Sequence, residues 1–374
     1  MTTIHDSVHS EIHISTKIQK IIDHKYFERC NFIAQTGNAF RVFPSATHSR
    51  KIHQIGCYHL TLKLLKHLKT FRKIDDKTIE LISVGALCHD IGHLAGSHNF
   101  DYKIIPKLVE DGIIEENDDW STHEGRSIVI LKQIIKELNF DYDKNEIEFI
   151  ANVIDPSEFH KNDWRFQIVS NKVNGIDTDK MDYILRDTKM VGLKSEFDVD
   201  KIIYHTRIVN NQISFNVEIE DTIRELLFAR YRIHKSLTHE NILKFDLSQK
   251  DILINGPVYS LVKRIFETRD VDSMCMLTDN FVLQNGNREL IRHYFDRNTY
   301  SFLKSYRSSK KIEIVPKSEE VVVYLKIHIC TNNNLLEKVK FHDKHKMINV
   351  KNSFSVFDKI PNDEYITYVF KKPR

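Results

Sequence analysis

Residues 87–93 read LCHDIGH, and the spacing around them decides the fold. Ile82, Ala86, His89 and His93 follow one another at intervals of four, three and four. That is helical spacing, so 78–93 is expected to form a helix with both histidines on the face that also carries buried apolar residues. A buried imidazole needs a partner, and a metal ion is one. Asp90, next to His89, adds a hard anionic oxygen, and imidazole plus carboxylate suits Fe, Mn, Zn or Mg.

The same logic recurs on either side. In the segment 52–69, His53, Cys57, Leu60 and Leu64 lie on one stripe, so His53 is expected to point inward. Downstream, Asp177-Thr178-Asp179-Lys180-Met181-Asp182-Tyr183 packs charge into a helical pattern, with Asp179, Lys180, Tyr183 and Asp187 on one broad face. The chain has 20 histidines, many of them between residues 48 and 123. A single histidine on an apolar stripe is most often a satisfied core residue. An inward histidine, an adjacent His-Asp pair and a later aspartate on an acidic helix form a more specific set.

Most of residues 1–250 reads as helix, with periodic segments at 52–69, 78–93, 123–138, 145–154, 178–191 and 221–244. The stretch 208–218, IVNNQISFNVE, alternates around Asn210-Asn211 and predicts a β-hairpin. The acidic run Glu110 to Asp119 reads as a solvated loop. Ser121 with Glu124 matches a capping box that starts a helix near Thr122. After about residue 250 the pattern changes: a helical region over roughly 257–307, then β-like runs at 311–315, 321–329 and 365–370. The expected fold is mainly α, with a helical core over 1–250 and a smaller α+β lobe over 251–374 serving regulation or oligomerisation.

Composition narrows the functional classes. With 374 residues, 41% of them hydrophobic, and only 11 Gly and 7 Pro, the chain can bury a large core and has little room for disordered stretches. A net charge of +3, spread along the sequence, gives no footprint for nucleic-acid binding as the main role. The five cysteines are widely separated, so reduced thiols in an intracellular compartment are expected. No apolar run is long enough for a membrane span, and the N-terminus lacks a signal-peptide core. The expected location is cytoplasmic. For the basic tail Lys371-Lys372-Pro373-Arg374, a nuclear signal or nucleic-acid contact ranks behind a solvated end.

Several longer runs are distinctive as text: IHDSVHSEIHI (4–14), FPSATHSRKIHQIG (43–56), LCHDIGHLAGSHNFD (87–101), STHEG (121–125) and VSNKVNGIDTDKMDYILRD (169–187). With these the chain resembles the deoxynucleoside triphosphate triphosphohydrolases that join a sterile alpha motif to an HD domain. The similarity covers about residues 4–245 and continues faintly at 277–283, without the sterile alpha motif. The resemblance implies a hydrolase that cleaves a dNTP to deoxynucleoside and inorganic triphosphate. It implies metal ligands His53, His89, Asp90 and Asp179, holding one tight ion, with Mg joining the substrate triphosphate. Arg50, His93, His98, His123, Lys180, Tyr183 and Arg230 correspond to triphosphate-binding positions. Gln35 and Asp187 correspond to those that hold the sugar 3′-hydroxyl. Metal-activated water would attack the α-phosphorus. His98, supported by His123 and Asp101, would protonate the leaving 5′-oxygen, with His93 beside them.

The sequence also departs from that pattern. At Thr36, Thr238 and His239 the family carries Leu, Tyr and Gln, which crowd the sugar 2′ position, so ribonucleotides are a second candidate substrate. Around the family's guanine-nucleotide site Asp23 is kept, but Thr2, Asn31 and Glu28 replace basic or neutral partners. Lys201 and Arg297 remain at a second regulatory nucleotide, whereas Val217 lies where an arginine is expected. GTP activation is therefore expected to be lost or altered, and a homo-oligomer, dimer or tetramer, is expected in its place. The alternatives are an HD phosphohydrolase acting on another nucleotide or phosphodiester, and a non-catalytic nucleotide or nucleic-acid binder.

Overall fold

The computed structural model describes residues 2–194, 197–328, 336, 338–344, 346–348 and 363–373. Helices dominate them up to Phe295. The long helix Arg50–Lys69 forms because leucines and small residues recur along its inner face, and it buries His53, Cys57, Leu60 and Leu64 as expected. It packs against Asp76–Cys88 and Thr178–Met190. Asp75 caps the first of these and Asp177 the second, each accepting a backbone N–H of the opening turn. Lys144–Ile154 carries a full capping box from Asp143 and Glu146.

Several expectations are corrected. The 78–93 helix stops at Cys88, and His89 to Ser97 follow as turns. Gly92 shows why: a Cβ there would lie 2.2 Å from the His123 carbonyl oxygen, so this turn presses directly against the start of the His123–Glu137 helix. His93 thus leaves the face that carries His89. The cap of His123–Glu137 is Thr122, accepting from Gly125 N, one residue beyond the expected Ser121. The 221–244 segment is two helices, Glu220–Leu237 and Glu240–Ile254, parted at Thr238 and His239.

The predicted hairpin is present, Thr206–Val209 against Gln212–Asn216, with Asn210 and Asn211 both at positive φ (51° and 60°) in the two-residue turn. The 257–307 region breaks into helices Pro257–Thr268, Val271–Cys275, Asp279–Asn285 and Arg288–Phe295, then becomes the strand Ser301–Ser308. Residues 311–315 are not a strand; the Tyr324 hydroxyl holds Ile314 backbone atoms instead. Glu320–His328 and Asp363–Lys371 are strands, in a three-stranded antiparallel sheet with Asp363–Lys371 central. Ile329 and Cys330 lie outside the described residues, as does Arg374 of the basic tail.

Residues 252–294, assigned from sequence to the smaller lobe, contribute Ile252, Val262, Phe266 and Tyr294 to the apolar core that also holds Ile12, Leu87 and Ile134. The sheet of Ser301–Ser308, Glu320–His328 and Asp363–Lys371 packs separately on Leu243 and Leu247. An N-terminal hairpin, Thr2–Asp6 with Ser10–Ile14, lies outside what the sequence reading anticipated; it buries Ile12 and Ile14. No described helix is long and apolar enough to cross a membrane.

Candidate metal centre and phosphate cleft

Two helices and the turn after a third bring His53, His89 and Asp179 together. His53 Nε2 lies 3.2 Å and His89 Nε2 3.3 Å from Asp179 Oδ1. Each imidazole is fixed from behind: His53 Nδ1–H donates to Asp182 Oδ2 at 2.8 Å, and His89 Nδ1–H donates to the Ala86 carbonyl at 2.8 Å. These bonds select the tautomer whose Nε2 lone pair faces Asp179. Asp90 closes the set, with Oδ2 3.5 Å from His53 Nε2 and Oδ1 3.7 Å from His89 Nε2. It is also engaged by the buried Arg50 guanidinium.

The electrostatics are those of a cation site. Burial pushes His53 toward the neutral form, yet Asp179 and Asp182 outweigh it and raise its pKa. Burial acts likewise on His89, and Asp90 leads the groups that drive its pKa well above the ordinary value. Asp90 goes the other way: burial would raise it, but Arg50, His89 and His93 hold it well below the usual carboxylate range. His53 Nε2 is buried and makes no hydrogen bond. An imidazole nitrogen so placed among carboxylates fits a divalent metal, so these residues are able to hold one.

A second histidine set adjoins the first. His93, His98 and His123 gather round Asp101. Their Nδ1 atoms lie 3.7, 3.8 and 3.3 Å from Asp101 Oδ2. Arg126, fully buried, engages the other carboxylate oxygen. His93 stacks on His123, with ring centroids 4.0 Å apart. Asp90 Oδ1 links the sets, at 3.4 Å from His93 Nε2. Desolvation, then the Arg50 and His123 charges, hold His98 down to about 4. His123 is raised: desolvation opposes, but Asp101 and Glu124 outweigh it. His98 follows Ser97, which adopts φ 55° while its hydroxyl donates to the Ala34 carbonyl and accepts from Arg50 Nε. A non-glycine residue at positive φ is strained, and this one is over-determined by its bonds.

The remaining expected residues divide. Lys180 Nζ lies 2.9 Å from Asp177 and 3.6 Å from Asp179. Lys180 and Arg230 flank the same glycine, Gly175, and Arg230 Nε is buried without a hydrogen-bond partner. Tyr183 stands edge-on to His53 and meets His234 Nε2 through its hydroxyl at 3.2 Å. Asp187 pairs with His48 at 2.6 Å, and the His48 carbonyl accepts from Gln35 N, placing Gln35 beside it. Gln35 Oε1 and Thr36 Oγ1 are buried without partners. Thr238 and His239 are occupied locally: the Thr238 hydroxyl donates to the His234 carbonyl, and His239 caps the next helix.

Some participants carried no assigned role in the sequence reading. Asp182 orients His53 and is itself held by Arg186 at 2.9 Å and by His9 at 2.6 Å, the latter from the N-terminal hairpin turn. Gly56 makes room for that pair, since a Cβ would lie 2.0 Å from Asp182 Oδ1. The signal was present: Asp182 falls three residues after Asp179, on the neighbouring face of the same helix.

A helical fold with a buried His-Asp pair, a second histidine and a distant aspartate on one cation site defines a class of metal-dependent phosphohydrolases. The HD domain family model matches residues 50–187, and the chain belongs to the HD-domain family. It is 32% identical to a putative HD domain-containing protein of Acanthamoeba polyphaga mimivirus, over 94% of this chain and 79% of that protein. It is 27% identical to the deoxynucleoside triphosphate triphosphohydrolase SAMHD1 homolog of Dictyostelium discoideum, over 80% of this chain and 59% of that one. The human deoxynucleoside triphosphate triphosphohydrolase SAMHD1 is 25% identical, with all of this chain aligned to 66% of its length.

Proposed function

We propose that this chain is a metal-dependent dNTP triphosphohydrolase, releasing deoxynucleoside and inorganic triphosphate. The observation that carries the reading is the convergence of His53 Nε2, His89 Nε2 and Asp179 Oδ1 beside a wall bearing Lys180 and Arg230. A divalent cation held by His53, His89, Asp90 and Asp179 supplies acidified water near neutral pH. Lys180, Arg230 and Tyr183 bind the triphosphate, with Arg50 neutralising charge near the α-phosphorus. Water adds to the α-phosphorus, the bond from phosphorus to the 5′-oxygen breaks, and that oxygen takes a proton. The proton is held on His123, which Asp101 keeps charged, and reaches that oxygen by way of His98, whose own pKa is depressed.

Gln35 and Asp187 hold the sugar 3′-hydroxyl. Thr36, whose buried hydroxyl has no partner, leaves room and a polar group near the sugar, which favours ribonucleotides as a second substrate class. Guanine-nucleotide activation is lost or altered: Glu28 is already engaged by Lys51 and Asn31, and Asp23 by Gln19. The residues after 250 carry the assembly contacts of a homo-oligomer. The test is product analysis with each dNTP and each NTP, in Mg²⁺ and Mn²⁺, with and without GTP, beside Asp179→Ala. Triphosphate plus deoxynucleoside, abolished by the substitution, is the expected result. Release of pyrophosphate or orthophosphate would overturn it.

A further inference from the structure

We propose that His9, in the turn of the hairpin Thr2–Asp6 with Ser10–Ile14, is a positioning residue for the metal centre, so that docking of this hairpin sets how tightly the ion is held. His9 lies outside residues 50–187, the stretch that the HD domain model matches. Its side chain is only 5% exposed, and His9 Nε2–H donates to Asp182 Oδ1 at 2.6 Å. Asp182 is the residue that orients His53 through Nδ1. The contacts therefore run from His9 to Asp182 to His53, whose Nε2 lies 3.2 Å from Asp179 Oδ1.

A second set of contacts ties the hairpin to the same carboxylate. Asp6 closes the turn, its Oδ1 accepting from the backbone N–H of Val8 and of His9, each at 2.8 Å. Its Oδ2 accepts from Arg186 Nη1 at 2.8 Å. Arg186 grips Asp182 with Nε and Nη2, both at 2.9 Å. Asp6, Arg186 and Asp182 are all buried. Asp182 thus accepts two hydrogen bonds on each oxygen, from His9 and Arg186 on one and from His53 and Arg186 on the other. That fills a carboxylate, so its orientation is fully determined. Arg186 shares a helix with Asp182 and moves with it. His9 and Asp6 come from another element, and they join that pair to the hairpin.

The consequence is a coupling between two places in the fold. A docked hairpin holds Asp182, Asp182 holds the His53 ring, and the ring presents its lone pair to the ion. Linkage makes the effect reciprocal: if the docked hairpin tightens the ion, the ion tightens the hairpin. The proposal rests on the metal centre and not on the substrate proposed above.

The test measures Mn²⁺ affinity of the full chain by competition with a chelating dye. His9→Ala is expected to weaken binding roughly 3–10-fold, less than the 10–100-fold typical when a direct outer-shell partner is removed. His9→Gln brings an amide N–H to about the reach of Nε2–H and is expected to recover most of the loss. In an Asp182→Asn background, His9→Ala is expected to add little, whereas independent effects would add. Ile12→Val trims the buried face of the same hairpin and leaves His9 in place. It is expected to lower the melting temperature and leave Mn²⁺ affinity unchanged.

Amide hydrogen exchange over residues 2–14, read by mass spectrometry, follows the coupling in the other direction. Mn²⁺ is expected to slow exchange there in wild type but not in His9→Ala. Wild-type affinity in His9→Ala overturns the proposal, and so does full additivity with Asp182→Asn. Should His9→Ala fail to fold, wild type alone decides: exchange over 2–14 that Mn²⁺ does not change overturns the coupling. A wild-type chain that holds no ion overturns the metal centre and this proposal with it. A tight ion indifferent to His9 overturns the coupling alone.

Discussion

The two histidine sets lie side by side, share Asp90 as a neighbour, and are built in opposite ways. In the first, His53 rides a 20-residue helix and His89 closes another, and each ring is pinned from behind by Asp182 or by the Ala86 carbonyl. In the second, His93 comes from the irregular stretch after Cys88 and His98 opens the short helix His98–Lys103, and no backbone or outer carboxylate fixes their tautomers separately; one oxygen of Asp101 serves three rings. A pinned imidazole has one lone pair in one direction, which suits permanent ligation. Rings that share one carboxylate can pass a proton, which suits acid–base work.

The largest expected effect separates holding the metal from moving the proton. Asp179→Ala removes the oxygen both pinned imidazoles face, and is expected to abolish detectable turnover together with the tightly held ion. His123→Ala is expected to lower kcat by roughly 10²–10⁴, the range for lost general acid–base catalysis, while leaving that ion in place. Metal analysis beside kcat on both variants checks this. If His123→Ala also loses the tightly held ion, the two sets are one functional unit.

Next comes the pin itself. Asp182→Asn keeps the shape but weakens the acceptor that orients His53 and breaks the ion pair with Arg186. Metal affinity is expected to fall about 10–100-fold, as for other outer-shell partners, with kcat at saturating metal changing less. Competition with a chelating dye measures it. An unchanged affinity would mean that burial alone holds the ring.

The same contrast explains what the sequence made legible. His53 could be read because its helix is regular and apolar at the right spacing, so period alone places a side chain. Asp179 could be read for the same reason. His93 could not: extending the period through Asp90-Ile91-Gly92 assumes that the helix continues, whereas the close approach of Gly92 to the His123 carbonyl, a tertiary contact, ends it. The convergence of His98, Asp101 and His123 likewise depends on where two helices begin, and the start at His98 is set through Ser97 by distant partners, Ala34 and Arg50. The N-terminal hairpin was hidden because histidines and serines dilute its alternation, although Ile12 and Ile14 alternate and are both buried. In the last third, 311–315 has strand-like residues but no neighbouring strand to pair with among the described residues.

The smallest expected effect concerns the support beneath the short helix His98–Lys103. Asn99 Nδ2 donates to the Asp246 carbonyl at 3.0 Å, and the Asp246 carboxylate accepts from Asn38 Nδ2 at 2.7 Å. Desolvation raises the Asp246 pKa to about 6, against the hydrogen bond from Asn38 and the charge of Lys103. A carboxyl whose pKa is higher folded than unfolded binds more protons in the folded state between the two values, so stability falls as pH rises through that window. The contribution is fully present below about pH 4 and gone above about pH 6 to 7. Two pH units correspond to about 3 kcal/mol at most. Asp246→Asn keeps a neutral group at all pH, so its melting temperature is expected to exceed that of wild type above pH 7, with the gap closing toward pH 4. Melting curves between pH 4 and 8 measure this. The first histidine set gives an internal control: activity lost in parallel with stability at pH 7 would show that the support of this helix, rather than the metal centre, limits the working range. A gap that does not vary with pH would assign the difference to packing and remove Asp246 as a titrating group.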